Sequence, residues 1–228
     1  MKFLAYYLCL AAWLLPPSKV SAQNLNWGSV IYSDLVDSEG QVLDQTYVFQ
    51  MGAFVGGFVP DETNTSDWLS NWQVFDAADY NGLEDPDDGI FGYFTSSAGM
   101  MDDGLSDSPD QSSLASSFEG LDAYLWIRNS DLDAPGSEWF LGRAGDWIFP
   151  MAVPGCCDND GVLEWSTSDL LAGDVPVWGS QGGTVGNGEY SVNGSDTLQT
   201  FTFVPEPSTA MFVVMFGTLM ILRRRRSE

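Results

Sequence analysis

Histidine is absent from the 228 residues of the sequence. Serine–histidine triads, histidine-ligated zinc and imidazole acid/base chemistry are therefore excluded as the basis of an activity. Cysteine is scarce as well, with three residues in the chain. Cys9 lies in an apolar N-terminal run, and the other two form the adjacent pair Cys156-Cys157. This pair allows a strained vicinal disulfide, two thiols or bonds to another chain, and no basic neighbour in sequence favours a reactive thiolate.

Basic residues are nearly missing from the middle of the chain. Only Arg128 and Arg143 lie between residues 23 and 203, whereas 30 of the 32 acidic residues do, since only Glu206 and Glu228 follow, so the net charge there is −28. Nucleic-acid binding is excluded as the main activity, because it depends on Lys and Arg displacing counterions. The charge also opposes direct binding to an anionic polysaccharide, and it favours solubility in a salty medium.

Residues 1–22 have the form of a cleavable signal peptide. Lys2 precedes an apolar run from residue 3 to residue 15, and Val20-Ser21-Ala22 provides a cleavage site. The run is shorter than the ~20 residues of a spanning helix. We expect signal peptidase to remove it and the mature chain to begin at Gln23.

A second apolar run covers residues 209–222. It has no polar face, and four arginines follow it directly, which favours a transmembrane helix with a cytoplasmic stop at Arg223, Arg224, Arg225 and Arg226. A helix of this length covers only about 21 Å of the roughly 30 Å hydrocarbon core, so it spans only with help from the preceding residues or local thinning. The predicted orientation places the rest of the chain outside the cytoplasm.

The motif before this run is Val204-Pro205-Glu206-Pro207-Ser208. Together with the apolar run and the arginines, residues 204–228 resemble the PEP-CTERM sorting signal of exported proteins in Gram-negative bacteria that make extracellular polysaccharide. The resemblance implies recognition by exosortase, a membrane-embedded enzyme with a cysteine nucleophile, with Pro205, Glu206 and Pro207 as substrate residues and the anchor removed or exchanged. Prolines hold such a segment extended, as an enzyme cleft requires, although a rigid spacer has the same composition.

Residues 23–203 are long enough for one domain, and we expect an all-β fold, an antiparallel β-sandwich with one short helix. Leu121–Arg128 alternates two apolar faces, which is typical of a central strand. Trp68, Trp72 and Phe75 follow helical spacing behind Thr65 or Ser66 as N-cap and predict a helix over residues 66–80. Other strands are expected at 24–33, 47–54, 90–95, 138–141, 147–149, 162–165, 190–192 and 198–204, with a helical turn at 168–171 and an irregular insertion at 96–117.

The body also resembles uncharacterised secreted PEP-CTERM proteins. The residues that carry this weaker likeness are Leu43-Asp44 before Phe49-Gln50-Met51-Gly52, Asn71-Trp72 with Tyr80-Asn81, and Ala123-Tyr124-Leu125-Trp126-Ile127. The likeness implies no activity.

Acidic residues on glycine turns are candidate calcium ligands. Residues 85–89, 102–104 and 158–161 offer hard oxygens, with Asp158 and Asp160 as the metal ligands we single out, but none matches the EF-hand spacing. Asp-Gly and Asn-Asp-Gly are also ordinary turn sequences, so each loop has a purely structural interpretation.

We expect a non-enzymatic surface or matrix protein that is associated with extracellular polysaccharide. Two other functions stay open. A carbohydrate-binding module would stack sugar rings on exposed tryptophans, for which the candidates are Trp126, Trp139, Trp147 and Trp178, although strand tryptophans are more often core. A glycoside hydrolase or lyase would need only two carboxylates facing each other in a cleft, and so many acids make that pattern uninformative.

Overall fold

The computed structural model describes residues 23–30, 34–81, 92–151, 162–170, 175–182, 184–188 and 198–203. Within these ranges the chain is mostly β, with two short helices, α1 (Thr65–Asn71) and α2 (Thr167–Leu170). The strands are β1 (Gln23–Gly28), β2 (Leu35–Val36), β3 (Val48–Phe54), β4 (Trp72–Asn81), β5 (Tyr93–Met100), β6 (Tyr124–Arg128), β7 (Glu138–Gly142), β8 (Leu163–Ser166), β9 (Ser180–Gln181), β10 (Thr184–Val185), β11 (Leu198–Gln199) and β12 (Phe201–Thr202).

These strands form two sheets. The larger has eight strands in the order β12-β7-β6-β3-β4-β5-β1-β8, and the smaller has four in the order β10-β9-β11-β2. Most neighbours are antiparallel, but β8 lies parallel to β1 and β11 parallel to β2. The prediction of a mainly β domain is therefore confirmed, while the expectation of purely antiparallel pairing is wrong for these two pairs.

Strand β6 has the central position that its sequence predicts. It lies between β3 and β7, and all five of its residues are buried. Leu125 and Ile127 face one apolar cluster, whereas Tyr124 and Trp126 face another on the opposite side of the sheet. Alternation of two apolar faces thus indicates a strand that is covered on both sides.

The two clusters differ in composition. The first core mixes aliphatic and aromatic side chains, mainly from β1 and β3–β7, and includes Leu25, Trp27, Phe49, Met51, Phe75, Phe94, Leu125, Ile127, Phe140 and Trp147. The second, which we name the tryptophan core, consists of Phe54, Trp68, Trp72, Tyr124, Trp126, Trp139, Leu141, Trp178, Phe201 and Phe203. Its rings meet mainly edge to face, for example Trp72 and Trp126 at 5.3 Å and 87°, the arrangement that aromatic quadrupoles favour.

The helix predicted over residues 66–80 is wrong in its second half. Helix α1 ends at Asn71, Trp72 has the extended backbone angles φ −81° and ψ 134°, and residues 72–81 form β4. Pairing with β3 and β5 supplies the backbone hydrogen bonds that the helix would have made. The N-cap is Asn64 and not Thr65 or Ser66, although Asp67 lies in the first turn as expected.

A β-bulge interrupts the pairing of β3 with β4. Met51 pairs with Asp76 and Gly52 with Val74, so Phe75 has no partner in β3. Only glycine fits at position 52, because a Cβ there would lie 2.2 Å from the Gln73 carbonyl oxygen. The bulge allows both Phe75 and Asp76 to point toward the first core, as bulges do when they redirect a side chain.

Other boundaries differ in detail. Strand β5 continues to Met100, so the irregular segment is shorter than residues 96–117, and the strand expected at 147–149 is reduced to an isolated bridge between Asp122 and Ile148. The helical turn expected at 168–171 is confirmed as α2. The expectations for residues 31–33, 90–91, 190–192 and 204 lie outside the described residues.

In the described ranges, no helix has the length and apolar character needed to cross a membrane. The predicted signal peptide (1–22) and the predicted transmembrane helix (209–222) lie outside those ranges.

Candidate functional site

Most residues that the sequence singles out lie outside the described part of the chain. These are Asp158, Asp160, Cys156, Cys157, Pro205, Glu206, Pro207 and Arg223 to Arg226. Among the described residues, no group of three or more Cys, Asp or Glu could hold a metal ion. The Asp102-Asp103-Gly104 loop is an ordinary turn in which Asp103 Oδ1 accepts a hydrogen bond from the Leu105 amide at 3.0 Å. Calcium binding stays a prediction for Asp158 and Asp160.

The four tryptophans considered for sugar stacking are all buried, which corrects that hypothesis. Their exposed fractions are 0% for Trp126, 2% for Trp139, 2% for Trp147 and 6% for Trp178. Two of the indole N–H groups donate to backbone carbonyls, Trp139 to Ser130 at 2.8 Å and Trp178 to Phe201 at 3.1 Å. Strands β6 and β7 are covered on both faces, so Trp126 and Trp139 fill a core, and Trp147 and Trp178 pack into the two cores from outside the strands; none of the four forms a stacking platform.

Both basic residues between residues 23 and 203 are paired within the fold. Arg128 donates to Asp131 at 2.6 Å and to Gln50 at 2.8 Å, and its guanidinium lies 4.3 Å from the centre of the Trp126 ring. Arg143 lies 2.7 Å from Asp122. The carboxylates of Asp131 and Asp122 thus offset part of the positive charge that these two cations could offer to an anionic ligand.

Four hydrogen bonds converge on the carboxylate of Glu138, the first residue of β7. The Ser38 amide donates at 3.1 Å and the Ser38 hydroxyl at 2.5 Å, the Tyr47 hydroxyl at 2.9 Å, and the Thr200 hydroxyl at 2.8 Å. The donors come from the turn after β2, from the start of β3 and from between β11 and β12. We name Glu138, Ser38, Tyr47 and Thr200 the Glu138 network.

Backbone contacts extend this network along the last described strands. Gln199 Nε2 donates to the Asp37 carbonyl at 3.0 Å, the Thr200 amide to the Val36 carbonyl at 2.9 Å, and the Phe203 amide to the Ser137 carbonyl at 2.6 Å. The Thr202 hydroxyl donates to the Ser38 hydroxyl at 2.9 Å. Residues 199–203 are thus held both by the turn at residues 36–38 and by β7.

The Glu138 network also sets the protonation of Tyr47. Burial and the neighbouring Glu138 charge raise the pKa of Tyr47 well above its usual value near 10. The phenol therefore stays a donor to Glu138 across the ordinary pH range. Burial raises the pKa of Tyr80 and Tyr124 in the same direction.

A second carboxylate, Asp76, lies inside the first core with only 3% of its surface exposed. The Trp27 indole donates to Oδ2 at 2.7 Å, and the Ser108 hydroxyl donates to Oδ1 at 2.6 Å. Ser108 belongs to the segment after β5, and its hydroxyl in turn accepts from the Asp110 amide at 3.1 Å. Asp76 therefore fixes an acid-rich surface segment to the interior.

An open groove of about 340 Å³ lies between the end of α1, the start of β4 and the segment at residues 112–114. The described residues of its lining are Val55, Ser70, Trp72, Gln73 and residues 112–114, and none of them has an ionisable side chain. The segment is fixed to β4, because Val74 exchanges hydrogen bonds with Ser112 and the Ser116 amide donates to Gln73 Oε1 at 2.9 Å. The groove offers hydroxyls, an amide and apolar surface, and lacks the paired carboxylates that a glycoside hydrolase would need.

No sequence pattern singles out Asp76, Glu138 or the groove. The donors to Asp76 and Glu138 lie up to 100 positions away in the chain, and no local pattern separates these two acids from the others. The alternation of β4 around its bulge is the one signal that could have placed Asp76 inside the fold.

No known protein family matches the chain, and the comparisons with curated proteins and with solved structures also found no match.

Proposed function

We propose that the protein is an exported, non-enzymatic surface or matrix component, associated with extracellular polysaccharide outside a Gram-negative cell. In this proposal residues 23–203 form a β-sandwich body, delivered by a signal peptide at residues 1–22 that signal peptidase removes. Residues 204–228 are the sorting signal, with a transmembrane helix over residues 209–222 and Arg223 to Arg226 as the cytoplasmic stop. Exosortase recognises Pro205, Glu206 and Pro207.

The observation that carries the structural part of this proposal is the fixation of residues 199–203 by the Glu138 network. These residues directly precede Val204, the first residue of the proposed signal. Hydrogen bonds to Glu138, Val36 and Ser137 hold residues 199–203 in the fold. A force applied to the tail must therefore break these bonds before the last strands separate from the body. A tethered body that stays folded is what a surface protein requires.

The chemistry of the described residues is consistent with a non-enzymatic role. Asp76 and Glu138 accept hydrogen bonds from neutral groups that are distant in sequence, so both carboxylates hold remote segments together. The excess of acidic residues supports solubility outside the cell.

Replacement of Pro205, Glu206 and Pro207 by alanine tests the proposal. We expect the variant to keep its C-terminal segment, so that its mature mass exceeds that of the parent and it accumulates in the membrane fraction. The single substitution Ser208→Ala, next to the three proposed substrate residues, is the control and should leave mature mass and location unchanged. Identical processing of the triple variant and the parent would show that the motif is only a spacer.

A further inference from the structure

The groove beside Trp72 differs in chemistry from the acidic chain that surrounds it. The body carries a net charge of −28, from 30 acids against two bases, yet none of the described residues that line the groove is charged. A charged ligand would find no opposite charge in this lining, and an anionic one would also be repelled by the surrounding surface. The lining thus fits a neutral ligand.

The polar groups of the groove retain hydrogen-bonding capacity. Gln73 uses its Oε1 atom to accept from the Ser116 amide and hydroxyl, at 2.9 and 3.2 Å, while its Nε2 atom donates to no other described residue. The exposed hydroxyl of Ser113 likewise makes no hydrogen bond to the rest of the described chain. Both groups are free to bond a ligand without disturbing the fold.

Apolar surface lies beside these groups. Leu114 is 92% exposed and Val55 is partly exposed, while the ring of Trp72, which is 7% exposed, forms the floor between the groove and the tryptophan core. A ligand that combines hydroxyl groups with C–H surfaces would satisfy both parts of such a lining. The volume of about 340 Å³ is near the lower end of the range of roughly 300–1,000 Å³ typical of small-molecule sites.

A neutral peptide is the main rival occupant, and the edge of β4 disfavours it. Peptides that bind at a sheet edge add a strand through backbone hydrogen bonds. At this edge, the Val74 amide already donates to the Ser112 hydroxyl at 2.9 Å, and the Val74 carbonyl accepts from the Ser112 amide at 3.1 Å. The segment that forms one wall of the groove thereby occupies the backbone groups that a peptide would use.

We propose that this groove binds one or two residues of a neutral polysaccharide. Gln73 and Ser113 bond the sugar hydroxyls, and the exposed Leu114 and the partly exposed Val55 contact its C–H surfaces. The inference deepens the proposed function and rests on it for the source of the glycan. The proposed sugar site is thus this uncharged groove and not the four buried tryptophans considered from the sequence.

Saturation-transfer NMR on the full chain, in a detergent without a sugar headgroup, tests this assignment. The probes are neutral hexasaccharides of glucose, mannose and xylose, an anionic alginate oligomer and a neutral Gly-Ser peptide. We expect transfer to at least one neutral hexasaccharide and none to alginate or the peptide. Failure of every neutral hexasaccharide, or transfer to the peptide in their place, would overturn the proposal.

Two surface variants locate the binding. Gln73→Glu keeps the acceptor for Ser116 but replaces the donor by a charge, and Leu114→Ala removes the exposed apolar contact; we expect roughly tenfold weaker binding in the first and a smaller loss in the second. Gln45→Glu and Leu132→Ala repeat these changes at exposed positions that do not line the groove. Equal binding by all four variants would place the glycan elsewhere. The tail substitutions leave the groove intact, so failure of the sorting proposal would be seen separately.

Discussion

Asp76 and Glu138 both join distant segments of the chain, but the two side chains differ in their exposure to solvent. Asp76 is almost completely buried and accepts from two donors, whereas Glu138 is half-buried and accepts from four. Asp76 ties the segment around Ser108 to the first core, and Glu138 ties the last described strands to β7. The difference indicates that Asp76 supports the whole fold, while Glu138 controls the end of the body next to the proposed tail.

The largest expected loss of stability follows from removal of the buried carboxylate of Asp76. Asp76→Ala leaves the Trp27 indole and the Ser108 hydroxyl as buried donors without their acceptor, which should lower the free energy of unfolding by about 2–4 kcal/mol. Chemical denaturation measures the change. Asp79→Ala, at an exposed position of the same strand, is the control and should change stability by less than about 0.5 kcal/mol. Equal effects of the two substitutions would show that the Asp76 contacts contribute little.

A smaller effect is expected at Glu138. Glu138→Gln keeps the shape of the side chain but removes one acceptor oxygen, and water can replace part of the loss because the site is half-buried. We expect the free energy of unfolding to fall by about 1–2 kcal/mol. Glu39→Gln, beside Ser38 and exposed, makes the same charge change outside the network. A loss at Glu138 as large as that at Asp76 would remove the distinction between the two carboxylates.

The smallest effect concerns pH. The pKa of Tyr47 is raised in the folded protein, so the unfolded chain loses this proton first as pH rises. The contribution of Tyr47 is therefore present below its unfolded pKa of about 10 and is lost progressively above it. Thermal melting between pH 9 and pH 11 should show a smaller alkaline loss for Tyr47→Phe than for the parent. The raised pKa values of Tyr80 and Tyr124 should leave part of the alkaline loss of stability in both proteins. An equal loss of melting temperature in the variant and the parent would contradict the role of Tyr47.

Local alternation predicted the strands well where both faces are apolar. Residues 121–128 have a two-residue period, and the structure places β6 between two neighbours with cores on both sides. Periodicity gave a wrong prediction after Trp68, because Trp68, Trp72 and Phe75 fit a helical period. In the structure, Trp72 and Phe75 belong to β4, with the bulge at Phe75. A bulge shifts the strand period by one residue, and sequence periodicity alone does not distinguish that shift from a helix.

The buried polar contacts were beyond prediction from sequence. Ser38 and Glu138 are 100 positions apart, and Trp27 and Asp76 are 49 apart, so their proximity depends on the order of strands in the sheet. The tryptophans show the opposite case. Sugar stacking on four of them was one open alternative, and the two-sided apolar pattern already favoured burial, which gains more free energy for such rings than exposure does.

The central claim is that the Glu138 network holds the strands from which the proposed tail departs. Hydrogen exchange of the backbone amides at residues 198–203, compared with those of β3, tests it most directly in the parent and in Glu138→Gln. We expect exchange at residues 198–203 to become roughly tenfold faster in the variant while the amides of β3 change little, because opening of the last strands is local. Equal acceleration in both regions, or none at residues 198–203, would contradict the claim.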